Sequence, residues 1–235
     1  MYQLGSPRSS FAYQKLPYAL HQLGRTAEAV RVLEEAVTRG VTDLSLLALL
    51  GSYLMEVSDL PRALPLLEGL ASDHPDFAEA HNTLGVAYAR MGRAEDAERE
   101  FGRVLELDRS SASALNNLGS LALARGDGAG AVRHLERALE LDPSSASASN
   151  GLGVARARSG DLDGAIAAWR RAVELSPTQF DAMLNLARAL SDRSRQEAIS
   201  YLERFVREAP EGRYREDLQK ARGLLREWRA NDPTN

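Results

Sequence analysis

Cysteine is absent from the sequence, which removes disulfides, thiolate metal sites and cysteine nucleophiles together. Its absence also leaves the redox compartment open. No stretch approaches the roughly 18 consecutive apolar residues that a membrane helix needs. Residues 1–10 lack the basic patch and apolar core of a secretory leader, so a cytoplasmic location is favoured and no membrane is expected. A basic excess is missing too: the formal charge is −4, whereas a general nucleic-acid binder shows a basic footprint. Lysine occurs only as Lys15 and Lys220, and arginine fills every other Lys/Arg place. With the richness in alanine, leucine and glycine, that usage suggests a GC-rich bacterial genome.

Signatures of chemistry are equally scarce. His21, His74, His81 and His134 form no pair three or four residues apart, and no His-Glu-x-x-His run exists. His74 and His81, seven apart, straddle Pro75 and read as surface or groove histidines, not as a shared metal site. Gly126-Asp127-Gly128-Ala129-Gly130 has the look of a phosphate loop but lacks a preceding strand and a following Lys-Ser/Thr. Glu34-Glu35 and Glu95-Asp96 are adjacent pairs, and neighbours on a helix point about 100° apart, so neither makes a catalytic dyad. The expectation is a non-enzymatic chain with no catalytic residue, no metal and no cofactor.

What is present is repetition. Leu50-Gly51, Leu84-Gly85, Leu118-Gly119 and Leu152-Gly153 recur every 34 residues. Twelve residues after each glycine stands an alanine: Ala63, Ala97, Ala131 and Ala165. Four further on comes a large apolar residue, Leu67, Phe101, Leu135 or Trp169, followed by Leu70, Val104, Ala138 or Ala172. Pro75, Pro143 and Pro177 close three of the four repeats, and Arg109 stands in the remaining place. Upstream, Leu16, Leu20, Ala29, Leu33 and Ala36 keep register, with Pro17 in the glycine place. Downstream, Leu186, Ala187, Leu190, Ala198, Leu202, Phe205 and Pro210 fit after one deletion. Six repeats follow: 10–43, 44–77, 78–111, 112–145, 146–179 and 180–212.

Within a repeat the apolar spacing is helical twice over. Leu84, Ala87, Tyr88 and Met91 make one stripe, and Ala97, Phe101, Val104 and Leu105 another. Between them lie Gly24-Arg25, Gly92-Arg93, Gly126-Asp127 and Gly160-Asp161, where glycine accepts a left-handed helix cap. Asp127, Asp161 and Ser145 are candidate N-caps. Gly85 and Ala97 are expected where the two helices cross, and the large residue between successive repeats. Pro17 predicts a short first helix that begins there, leaving 1–15 irregular or extended, with 1–9 outside the repeats; Phe11 and Tyr13 then either need a covering partner or belong to a ragged N-terminal cap. Pro65 predicts a kink. Gly128, Gly130 and Gly164 weaken two helix starts by about 1 kcal/mol each relative to alanine. Leu218, Ala221, Leu225 and Trp228 make the apolar stripe of a capping helix over 213–229. Residues 230–235 read as a disordered tail.

This pattern resembles the tetratricopeptide repeat family over residues 10–212. The aromatic expected three places after the glycine survives only as Tyr88; Leu54, Ala122 and Arg156 replace it, Arg156 being expected to snorkel to solvent. The resemblance implies an all-α, right-handed superhelical solenoid whose first helices line a concave groove. Asn82, Asn116 and Asn150 then fall at the fifth groove place, and Asn117 and Asn185 at the sixth. An amide donates and accepts, so a ladder of asparagines suits a peptide backbone; one is a feature of the repeats of O-linked N-acetylglucosamine transferase. The same residues could instead brace adjacent helices. Arg90, Arg158 and Arg188 add positive charge suited to an acidic segment. The lysine-asparagine carboxylate clamp of chaperone cofactors does not fit, because Val86, Ser120 and Val154 stand in its asparagine places. The resemblance thus implies a protein-interaction scaffold, monomeric or weakly dimeric. The alternative is an accessory region of a longer enzyme, such as a sulfatase-like or glycosyltransferase chain.

Overall fold

In a computed structural model of the chain, residues 7–230 are described. They form thirteen α-helices and no strand. The helices are α1 (Pro7–Gln22), α2 (Thr26–Thr38), α3 (Leu44–Glu56), α4 (Leu60–Asp73), α5 (Ala78–Arg90), α6 (Ala94–Leu107) and α7 (Ala112–Arg125). They continue with α8 (Gly128–Leu141), α9 (Ala146–Arg158), α10 (Leu162–Leu175), α11 (Phe180–Leu190), α12 (Arg195–Glu208) and α13 (Glu211–Ala230). The chain divides into two compact bodies, one up to Ala114 and one from Leu115 on.

Each body is a stack of antiparallel helix pairs. In the N-terminal body α1 packs on α2, α3 on α4 and α5 on α6, while α2 covers α3 and α4 covers α5. In the C-terminal body α9 packs on α10 and α11 on α12, while α8 covers α9, α10 covers α11 and α12 covers α13. A pair cannot bury its apolar stripe alone, so within each body a second helix closes against the next first helix.

The leucine-glycine place explains how closely the pairs approach. A methyl on Gly119 would sit 2.5 Å from Leu135 Cγ, and one on Gly85 2.6 Å from the Phe101 ring. The glycine therefore makes room for the large residue itself. Leu135 is fully buried, and its Cδ2 lies 3.2 Å from where a methyl on Gly151 of the following helix would be. One side chain thus bonds its own pair and the next.

Turn chemistry follows the same register. Gly24, Gly92, Gly126 and Gly160 all adopt positive φ, the conformation in which glycine carries no Cβ penalty. In the second repeat Ser58 holds that place at φ 64°, a strained conformation for a residue with a side chain. Asp127 accepts from the Gly130 amide at 2.8 Å and Asp161 from the Gly164 amide at 2.9 Å. A methyl on either glycine would overlap the capping carboxylate. These glycines, expected only to weaken their helices, clear the space in which the cap forms. Ser145 accepts from the Ala148 amide at 3.2 Å and caps α9.

The first helix departs from expectation. It starts at Pro7 and passes through Pro17, so residues 7–9 are helical and the helix is not a short one beginning at Pro17. The lost Pro17 amide is offset by burial, because its ring is fully enclosed. Tyr13 is buried as well and needs no covering partner, while the Phe11 side chain lies outside the described residues. Pro65 sits on the exposed side of α4, which runs as one helix from Leu60 to Asp73. At the other end α13 spans Glu211–Ala230, with a non-helical step at Tyr214. The expected tail from 231 on also lies outside the described residues.

Candidate functional site

In the C-terminal body Asn116, Asn117, Asn150 and Asn185 lie on α7, α9 and α11, all half-buried. The amide oxygens of Asn116 and Asn150 are buried and accept no hydrogen bond. An amide oxygen in that state is short of a partner worth about 1–3 kcal/mol. Neither oxygen makes a hydrogen bond to a neighbouring helix. Asn82, on α5 of the N-terminal body, and Asn117 do take part in polar interactions.

The arginines divide differently. Arg90 donates to the Met55 carbonyl at 3.1 Å and Arg158 to the Leu123 carbonyl at 2.5 Å. Both contacts tie a first helix to the carbonyl end of the preceding first helix, where cations are favoured. Arg188 lies 3.4 Å from Asp217 on α13. All three remain exposed, with donors to spare. Asn185 and Arg188 come together in a depression of about 510 Å³ that also includes Trp169 and Arg193.

A neighbouring cavity was not anticipated. It measures about 190 Å³ and lies among α11, α12 and α13, lined by Leu184, Arg188, Leu202, Lys220, Leu224 and Trp228. Its trace in the sequence is Leu184, which stands at the fifth place where three preceding repeats carry asparagine.

Elsewhere polar groups are absorbed by structure. His81 is buried, with Nδ1 2.7 Å from Glu100 and Nε2 3.2 Å from the Pro75 carbonyl, so both ring nitrogens are engaged and neither is left for a metal. Among the described residues no group of three or more His, Cys, Asp or Glu could hold a metal ion. Likewise no helix there is long and apolar enough to cross a membrane. Asp96 pairs with Arg93 and Arg99, and the Arg93 hydrogen bond holds its carboxyl below the usual range. Tyr88 donates to Glu68 at 2.8 Å under the Arg93 guanidinium. Burial first, then that carboxylate, pushes its hydroxyl up to about 12. Arg156 occupies the equivalent place two repeats later and binds Glu136 at 2.8 Å, Glu136 being the equivalent of Glu68. It does not simply snorkel; the aromatic place has become one half of an ion pair.

Comparison with known proteins agrees with this architecture. The family model described as Tetratricopeptide repeat matches residues 48–114, 83–146, 116–180 and 158–213, and a second of the same description matches 18–35. No curated protein matches the sequence. Among solved structures, a thermophilic TPR protein of Thermus thermophilus is 22% identical with a TM-score of 0.70, covering 77% of this chain and 98% of that one. A chain of the APC/C hetero-tetramer Cut9–Hcn1 is 18% identical with a TM-score of 0.80, over 95% of this chain and 44% of that one. YrrB, a TPR protein with an unusual peptide-binding site, is 22% identical with a TM-score of 0.52, over 74% and 90%. At these identities the likeness is one of fold. Proteins of this fold are generally non-enzymatic, and the fold suggests a protein–protein interaction scaffold. On the family matches, which together span 48–213, the chain belongs to the tetratricopeptide repeat family.

Proposed function

We propose that the first helices of the C-terminal body hold an extended segment of a partner protein, with Asn116 and Asn150 pairing to its backbone. The observation that carries this reading is the pair of unaccepting amide oxygens, one repeat apart on α7 and α9. A half-turn about χ2 exchanges oxygen and nitrogen in an asparagine amide, which presents the oxygen to an incoming N–H. Backbone pairing of this kind binds without reading side chains; on α11 the row itself gives way to Leu184, and Asn185 stands one place on, in register with Asn117. Asn82 and Arg90 hold corresponding places on α5. The spare donors of Arg158 and Arg188 favour a segment with carboxylates.

Selection of extended peptides from a random display library, followed by calorimetry, tests the reading. Micromolar binding is expected. Asn116→Ala with Asn150→Ala removes two neutral hydrogen bonds of about 1 kcal/mol each, so affinity falls roughly thirty-fold. Equal binding by parent and double variant would show the asparagines to be idle and the reading wrong.

A further inference from the structure

The cavity among α11, α12 and α13 lies where the asparagine row stops. Asn116 and Asn150 stand at the fifth place of their repeats, and on α11 that place is Leu184, a wall of the cavity. A pairing amide is thus exchanged for an apolar surface. Leu202 of α12 and Ala221, Leu224 and Trp228 of α13 supply the rest of that surface. The space measures about 190 Å³. A dry apolar cavity of about 150 Å³ already takes up benzene, so one side chain of leucine or phenylalanine size fits here. Residues 231–235 hold no apolar side chain larger than that of Pro233 and so offer nothing of this kind to fill it.

Charge at the mouth favours an anion. Arg188 and Lys220 are exposed there, and Asp217 is the one carboxylate among the lining residues. Asp217 faces Arg188 at 3.4 Å, whereas Lys220 has no ion-pair partner among the described residues. The depression of Asn185 shares Arg188 and Ser191 with the cavity. The two therefore adjoin, and a chain lying along Asn185 reaches the mouth.

We infer that this cavity seats one large apolar side chain of the partner segment, with a carboxylate beside it that meets Lys220. The choice of an extended segment as occupant rests on the backbone pairing proposed for Asn116 and Asn150; the size and charge of the cavity do not. Asparagines hold the backbone, and the cavity is where the sequence of the segment is read.

The test titrates the isotope-labelled full chain with N-acetyl-Phe-Glu-amide, which is too short to engage the asparagine pair and the cavity together. Amide chemical shifts are expected to move over 184–191 and 217–228, the lining segments of α11 and α13. N-acetyl-Ala-Glu-amide should bind about tenfold more weakly, because the apolar group is gone. Lys220→Glu, at an exposed position, should weaken the phenylalanine dipeptide about fivefold and leave the circular dichroism unchanged. Asn116→Ala with Asn150→Ala should leave dipeptide binding as it was, so failure of the backbone pairing and failure of the cavity are read separately. Shifts confined to other segments, or equal binding by the alanine dipeptide or by the Lys220→Glu chain, overturn the inference. So does tighter binding of phenylpropionate, which has the same apolar group and a carboxylate but no peptide backbone, because the occupant is then a small acid. A concentration-dependent dimer of the chain alone that Lys220→Glu abolishes overturns it too, in favour of a second copy.

Discussion

The first and last helices solve the same problem in opposite ways. Of the 20 residues of α13, 10 are charged, yet Tyr214, Leu218, Ala221, Leu225 and Trp228 are buried. It has one dry side and one wet side. Among its described side chains helix α1 buries Tyr13, Pro17 and Leu20 but exposes Leu16, Tyr18 and Ala19 beside Lys15 and Gln22. The adjoining cores differ in the same sense. At one repeat place stands Ala36 near α1 and Phe205 near α13. Phe205 meets Phe180 and Tyr214 edge-on, with ring centroids 6.2 and 5.5 Å away. The polar side of α13 and the exposed apolar places Leu16 and Ala19 of α1 are thus two different ways of presenting an outward face.

The largest effect should come from opening the closed side. Phe205 is fully buried among aromatic rings, so Phe205→Ala should cost about 3–5 kcal/mol in urea unfolding. A loss below about 1 kcal/mol would mean that α13 does not seal the core as described.

Next comes the crossing of a helix pair. Gly119→Ala places a methyl 2.5 Å from Leu135 Cγ, and relief of that overlap should cost about 1–3 kcal/mol. In the first repeat the equivalent residue is Pro17, whose ring is already accommodated beside α2. Pro17→Ala should therefore act by leaving a void and not by overlap. If both alanines prove equally costly with no change in Leu135 packing by NMR, the close approach at Gly119 is not the cause.

Alkaline titration compares the two bodies directly, since each has a buried tyrosine. Burial first, then neighbouring carboxylates, pushes Tyr88 and Tyr214 up to about 12, from an ordinary value of 10. A raised folded value means that stability is intact below pH 10 and is lost as pH rises toward 12. Each tyrosine should account for on the order of 1 kcal/mol by pH 11. Tyr88→Phe should remove its share of that slope, and an unchanged slope would assign the loss elsewhere.

Ser58 offers a gain of about the same size or smaller. Its left-handed backbone at φ 64° is the conformation glycine holds in four other repeats. Ser58→Gly should raise stability by about 0.5–1 kcal/mol, the relief of the strain exceeding glycine's extra entropy in the unfolded chain. A fall in melting temperature would show that the serine side chain stabilises the turn in some other way.

Much of this architecture is legible in the sequence because it rests on period and size. The Leu-Gly pairs, the alanines and the large residues report local packing that recurs at a fixed interval, and so locate both helices of every repeat. Features that depend on a partner from another helix are hidden. Nothing in the surroundings of Arg156 shows that Glu136 binds it, and nothing near Asn116 or Asn150 tells a brace from an amide without a partner. Gly130 and Gly164 look like weak points until the capping carboxylates of Asp127 and Asp161 are seen filling their space. The exposure of α1 was hidden for another reason. Leu16 keeps the register of Leu50 and Leu84, and register reports the place of a side chain but not whether another helix lies on it.

The smallest effect is expected in the turn after α1. Leu23 is 71% exposed and contributes little to the folded chain by itself. Leu23→Glu should change stability by no more than about 0.5 kcal/mol, as surface substitutions usually do. The equivalent change on the closed side, Leu225→Glu, puts a carboxylate where the side chain is only 7% exposed and should be far more costly. Two leucines, one in the turn after α1 and one inside α13, changed to the same residue, then separate an exposed place from one closed by folding. Equal costs at the two positions would mean that Leu23 is not exposed in solution.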